Sequence, residues 1–223
     1  MTHFLIIAVD GPSASGKGTL ARRLAEQFHL FYLDTGAVYR AAAKRILDTG
    51  KNPDDVAAAV EAATYVKDHL TWSMIDDVAL RTDRVADATS RSSRFPEVRD
   101  ITNQTLRFYA KHPPLRANQH FHGSILDGRD IGTVVCPQAD VKLFVTADVE
   151  VRADRRFKEL VARGIETDYK KVLSDMKERD DRDSNRATAP LKPAADAIIL
   201  DTSILSSDEA FERAVQIIRE KTA

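Results

Sequence analysis

The residues best placed to do chemistry lie together in Gly11 to Thr19, GPSASGKGT. Gly11 and Gly16 let the backbone fold tightly around a phosphate with its amide hydrogens pointing inward. A helix beginning after the loop adds partial positive charge at its N-terminus, and Lys17 adds a full charge that reaches the outer phosphates. Those are the requirements for holding a nucleoside triphosphate. One detail departs from the commonest form of the motif. Gly18 follows Lys17 where Ser or Thr is usual, and the hydroxyl arrives one residue late at Thr19, so the usual hydroxyl ligand to magnesium is displaced.

Other groups stand at the ends of short apolar runs. Asp34-Thr35-Gly36 follows Leu30 to Leu33, and Asp127-Gly128-Arg129-Asp130 follows Ser124 to Leu126. DTG also occurs in aspartic proteases, but those pair two matched carboxylate loops in a largely β protein. Here Ala37 to Leu47 is rich in helix formers, which favours a substrate cleft followed by a helix carrying Tyr39 and Arg40. Arg179 to Arg186, RDDRDSNR, alternates arginine with carboxylate just before Ala189-Pro190. A solvated helix face with i,i+4 ion pairs would look similar. The alternation also suits a lid that closes over phosphates and keeps its own arginines apart when empty. Arg152, Arg155 and Arg156 fall within about one helical turn. His120 and His122 lack a third ligand nearby and read as a surface turn. Cys136, the single cysteine, reads as a small buried residue rather than a reactive thiol.

The elements that must position these groups follow from hydrophobic spacing. Phe4 to Val9 is an unbroken apolar run of strand length, and Leu20, Leu24 and Phe28 mark one face of the helix that follows the glycine-rich loop. A strand, such a loop and an amphipathic helix in that order are the context a phosphate loop requires. Asn52-Pro53-Asp54 reads as a helix start, with Pro53 in the first turn. Leu70 to Met74 and Val78 to Arg81 suggest a small hairpin, with Trp72 in local packing. Phe95-Pro96-Glu97 opens a helix to about Ala110, carrying Arg99, Leu106 and Phe108. Val141 to Val145 and Ala197 to Leu200 are further strands. Each is followed by a helical stretch: one from about Val149 that Gly164 ends, and one from Asp208 to Lys221. Helices following each strand predict a parallel, doubly wound α/β sheet with ligands at the strand carboxyl ends.

The chain has 223 residues, suiting one domain with an insertion or lid. A net charge of −1 provides no basic field for general nucleic-acid or membrane binding. Phe4 to Val9 is too short to span a bilayer and ends at Asp10 without a cleavage site, so a cytoplasmic protein is expected.

Taken in order, GPSASGKGT, LDTGAVYR, the FPEVR helix start, LDGRDIGTVV and KERDDRDSNRATAPL resemble the motifs of the bacterial cytidylate kinase family and span nearly the whole chain. The GKGT ending is likewise similar to that of nucleoside monophosphate kinases rather than GTPases or motor ATPases. The resemblance implies the α/β P-loop nucleoside monophosphate kinase fold: a five-stranded parallel sheet with helices on both faces, a monophosphate-binding insertion and a lid. Within a single kinase domain over residues 1–223, the core would be about 1–50, 110–155 and 190–223, the CMP-binding insertion about 51–109 and the lid about 156–189. The implied activity is magnesium-dependent transfer of a phosphoryl group from ATP to CMP or dCMP, in pyrimidine nucleotide metabolism, by a monomer with small-molecule partners only.

Site residues carry over position by position. Gly11, Pro12, Ser13, Ala14, Ser15, Gly16, Lys17, Gly18 and Thr19, with Arg152 and Arg156, would bind ATP. Arg40, Arg129 and Arg186 would hold the acceptor phosphate, and Ser90, Arg99 and Asp130 would face the cytosine. Arg179 and Asp183 would reach the ribose and phosphate, with Asp34 and Thr35 completing the CMP site. Thr35 stands where the family often has Ser. Lys17, Arg129, Arg179, Arg182 and Arg186 would supply the catalytic charge, and magnesium would be held mainly by phosphates and water. Two departures stand out: the segment from Leu70 to Ser90 is shorter than in long-form relatives, and Ser184 replaces an arginine that some relatives carry. Two other readings stay open at this point. One is another P-loop kinase, for UMP, AMP or a hydroxyl metabolite such as shikimate. The other is a P-loop switch or ATP-dependent binding protein without a small acceptor. A guanine-reading NKxD is absent from the sequence.

Overall fold

A computed structural model describes residues 3–113, 120–186 and 188–222. In chain order its elements are β1 (Leu5–Asp10), α1 (Lys17–Gln27), β2 (Phe31–Asp34), α2 (Thr35–Asp48), α3 (Val56–His69), α4 (Trp72–Ile75), α5 (Asp83–Ser92), α6 (Pro96–Lys111), β3 (Gly123–Gly128), β4 (Val141–Thr146), α7 (Val149–Ala162), α8 (Tyr169–Asn185), β5 (Ile198–Asp201) and α9 (Ser207–Thr222). The five strands form one parallel sheet in the order β2-β3-β1-β4-β5. β1 is central because Ile7, Ala8 and Val9 have no solvent exposure, and such a run is tolerated only where both sheet faces are covered. The chain runs to β2 and β3 on one side of β1 and to β4 and β5 on the other. The carboxyl end of β1 is therefore where the connections diverge, the usual place for a ligand crevice.

Two compact units make up the chain: Met1–Leu33 with Pro113–Ala223, and Asp34–His112. In the larger, Leu20 and Leu24 of α1 and Ala214 and Ile218 of α9 cover the sheet residues Ile7, Val9, Ile125, Leu143 and Val145. A second cluster joins Ala153 and Leu160 of α7 to Val172 and Met176 of α8. Burying each large aliphatic side chain contributes roughly 1.5–3 kcal/mol.

The smaller unit is all helical. α3 buries Ala58, Ala59, Ala62, Ala63 and Val66, small residues that let neighbouring helices approach closely. The hairpin expected between Leu70 and Arg81 does not form: Trp72–Ile75 is a helical turn and Val78–Arg81 a 3₁₀ turn. Polar caps decide this, since Thr71 Oγ1 accepts from the Met74 amide and Asp77 Oδ1 from the Ala79 amide. Trp72 packs edge-on to Tyr109 at 6.1 Å. The helix expected from Pro53 begins instead at Val56. Asn52 closes a turn by accepting from the Asp54 amide, and Asp55 takes the N-cap by accepting from Ala57 and Ala58.

Candidate active site

The phosphate loop connects β1 to α1 in a conformation that its residue types dictate. Gly11 has φ +152°, and a Cβ there would lie 2.0 Å from the Val145 carbonyl oxygen. Gly16 has φ +86° in the left-handed region and is the N-cap of α1, which makes no side-chain capping bond. Such a helix start is suited to an anion. Lys17 Nζ folds back over the loop to the Pro12 carbonyl at 3.1 Å. Gly18 is explained by what lies beside it: a side chain there would begin 3.1 Å from Asp127 Oδ2 and 3.7 Å from the Tyr32 hydroxyl. Tyr32 in turn donates to Asp127 Oδ1 at 3.1 Å.

Arg129 and Asp130 follow the end of β3. Arg129 donates through Nη1 to the Gly11 carbonyl at 3.0 Å, and through Nε to Asp183 Oδ2 at 2.9 Å. Asp183 lies near the end of α8, so the arginine joins the loop to the charged segment Arg179–Arg186. Burial alone would push the Asp183 carboxyl up. The charge of Arg129 and its hydrogen bond, with Arg179 and Arg186 nearby, outweigh this and hold it below the usual carboxylate range. Arg186 Nη2 stands 3.9 Å from Asp130 Oδ1, and its Nε donates to the Ala189 carbonyl.

Arg152, 5% exposed on α7, makes a third link. Its Nε donates to the Ala147 carbonyl, Nη1 to the Ser13 carbonyl at 3.3 Å and Nη2 to Asp180 Oδ2 at 2.6 Å. The sequence signal for a lid, alternating arginine and carboxylate, thus becomes two carboxylates on α8, each bound to an arginine that also contacts the phosphate loop. Arg156 and Arg182 instead pair along their own helices, with Glu159 at 2.9 Å and Glu178 at 3.9 Å. Arg179 and Ser184 lie on the exposed side of α8.

Two supporting residues escape a motif reading. Thr202, after β5, has its Oγ1 3.2 Å from the Ser15 carbonyl and receives Arg155 Nη1 at 3.1 Å. Arg155 Nη2 also donates to the Thr202 carbonyl at 2.7 Å, so α7 props the loop through a threonine remote in sequence. Asp10 is the other. The only sequence signal for it is a carboxylate ending an apolar strand.

In the smaller unit, Asp34 serves two local purposes. Oδ1 caps α2 by accepting from the Ala37 amide at 3.1 Å, and Oδ2 pairs with Arg40 Nη2 at 2.8 Å. Gly36 makes room for that guanidinium, because a Cβ there would lie 2.7 Å from Arg40 Nη1. Arg40 Nε is buried with no hydrogen-bond partner among the described residues, a donor suited to an anion. Thr35 is buried in the first turn of α2. Arg99, buried on α6, lies over the Tyr39 ring at 5.5 Å, and Ser90 is exposed on α5. His122 is tied to His29 by a backbone hydrogen bond of 3.0 Å. Among the described residues no group of three or more His, Cys, Asp or Glu is arranged to hold a metal.

The cytidylate kinase family model matches residues 7–220. The cytidylate kinase of Paramagnetospirillum magneticum is 51% identical over 219 residues, covering 97% of this chain and 98% of that protein. That of Rhodospirillum rubrum is 49% identical over 218 residues, covering 98% and 99%. A solved structure of a putative kinase from Chloroflexus aurantiacus shares the fold, with a TM-score of 0.50 at 16% identity over 100% of this chain and 97% of that one. With a phosphate loop bound by arginines that carboxylates of a charged helix neutralise, and with near full-length identity of about one half, the chain belongs to the cytidylate kinase family.

Proposed function

We propose that the chain transfers the γ-phosphoryl group of ATP to CMP or dCMP, giving ADP and the diphosphate. The observation that carries this is the 51% identity to a cytidylate kinase across nearly the whole chain. The chemistry of the larger unit supports it. A phosphate monoester has a second pKa of about 6, so CMP at neutral pH is already a dianion. Its phosphate oxygen attacks the γ-phosphorus, the bond to the β-bridging oxygen breaks, and ADP leaves with the electron pair. No general base is required. The barrier lies in bringing two polyanions together, which positioned cations and amides lower by electrostatic stabilisation. Lys17 and the α1 amides serve the donor phosphates. Arg129, Arg179, Arg182 and Arg186 serve the transferred group, with Arg152 and Arg156 on the ATP side. Arg40 serves the acceptor phosphate, Ser90, Arg99 and Asp130 the base, and Asp34, Thr35 and Asp183 the rest of CMP.

The residues present suit magnesium. Ser15 Oγ is buried in the phosphate loop without a hydrogen-bond partner among the described residues, and Asp127 Oδ2 lies beside Gly18. These and the Thr19 hydroxyl are hard oxygen donors, consistent with a cation held mainly by phosphates and water. When bound, magnesium supplies neutralisation of the donor phosphates. Turnover of ATP with and without CMP tests the proposal: ADP formation should depend on CMP and stop when magnesium is chelated. CMP-independent hydrolysis would favour a switch instead.

A further inference from the structure

Asp10 ends β1 one residue before the phosphate loop, and its side chain is 4% exposed. Oδ1 accepts from the Ile131 amide at 2.8 Å, and Oδ2 from the Gly132 amide at 2.7 Å. These are the first two amides of a single π-type turn, Ile131–Val135, whose N-cap is Asp130. An aspartate at an N-cap ordinarily accepts from the following amides with its own carboxylate. Asp130 makes no such capping bond. Asp10 takes both amides from the neighbouring strand, so Asp130 can point its carboxylate elsewhere. Gly132 fits this arrangement, since a Cβ there would lie 3.4 Å from Asp10 Oδ2 and 3.1 Å from Lys142 Cδ.

We infer that Asp10 is a positioning residue for acceptor recognition: by capping the turn after Asp130 from β1, it holds Arg129 and Asp130 oriented toward CMP. The inference rests on the CMP reading above. Holding a carboxylate there is costly. Burial pushes the Asp10 pKa up to about 6, against the lowering effect of the two amides; Asp130 raises it further and Lys17 lowers it.

Asp10→Asn in the full chain tests this, because the amide keeps the shape and one acceptor oxygen but sets its NH₂ group against the second backbone amide. The KM for CMP should rise at least about tenfold and the preference for CMP over UMP should fall, while the KM for ATP stays within about twofold, the loss of one buried hydrogen bond acting on one substrate. An unchanged KM for CMP, or equal losses for ATP and CMP, would overturn the inference. In wild type, the Ile131 and Gly132 amides should exchange with solvent at least about 100-fold slower than in an open chain before any nucleotide is added. Fast exchange there would also overturn it, even if the variant failed to fold. Wild type lacking CMP-dependent turnover would sink the functional reading itself. Normal wild-type turnover with a normal Asn variant would sink only the role of Asp10.

Discussion

Lys17 is the residue whose removal isolates charge from fold, because its hydrogen bond to the Pro12 carbonyl stays within its own loop. Lys17→Met should lower kcat at least about 100-fold, the scale of one lost transition-state contact, with an unchanged melting curve. Gly11 behaves oppositely. Gly11→Ala drives a methyl into the Val145 carbonyl, and denaturant titration should show a loss of more than about 2 kcal/mol. Asp10 gives a pH signature. Its folded pKa of about 6 exceeds the ordinary 3.8, so its favourable contribution is full below the ordinary value and is lost as pH rises through 6. A shift of about two units corresponds to about 3 kcal/mol. Wild type should therefore lose stability relative to Asp10→Asn between pH 4 and pH 7, measured by urea unfolding at each pH. A constant difference would count against the buried ionised carboxylate.

At the scale of elements, α8 is the part whose sequence pattern says most about mechanism. RDDRDSNR reads as alternating charge, and the structure turns the alternation into pairs: Asp183 with Arg129 and Asp180 with Arg152. Asp183 is held below its ordinary pKa, so its pair is intact above the ordinary carboxylate range and breaks only as pH falls through that lower value. Asp180→Ala would leave the guanidinium of Arg152 buried without its carboxylate, which should cost about 1–3 kcal/mol on urea unfolding. On the proposed reading, substrate phosphates would compete for the same arginines. Hydrogen exchange over Arg179 to Arg186 should therefore slow when a two-substrate analogue binds, and unchanged exchange would argue against a closing lid. The strands and their following helices were legible because apolar runs and 3.6-residue spacing are local signals. The stretch from Leu70 to Arg81 was not, because Thr71 and Asp77 act as caps through single hydrogen bonds that hydropathy does not register. The start of α3 was misplaced for the same reason, Asp55 rather than Pro53 setting it.

Across the whole molecule, the doubly wound sheet sets the phosphate loop, Arg129 and Asp130 at adjacent strand ends, which is why motifs more than a hundred residues apart pointed to one chemistry. What the motifs did not reveal are Asp10 and Thr202, whose importance lies in contacts with backbone groups remote in sequence. On the proposed reading, cytosine, not merely a monophosphate, is recognised. Cytosine offers an amino donor where uracil offers a carbonyl acceptor, and a buried carboxylate such as that of Asp130 favours the former. Asp130→Asn should narrow the CMP-to-UMP ratio, chiefly by losing activity on CMP. The most direct measurement is the ratio of kcat/KM for CMP and UMP in wild type, read as ADP produced under saturating ATP and magnesium. A ratio of at least about 100 is expected, since a buried polar mismatch costs a few kcal/mol. Equal use of UMP and CMP would contradict it.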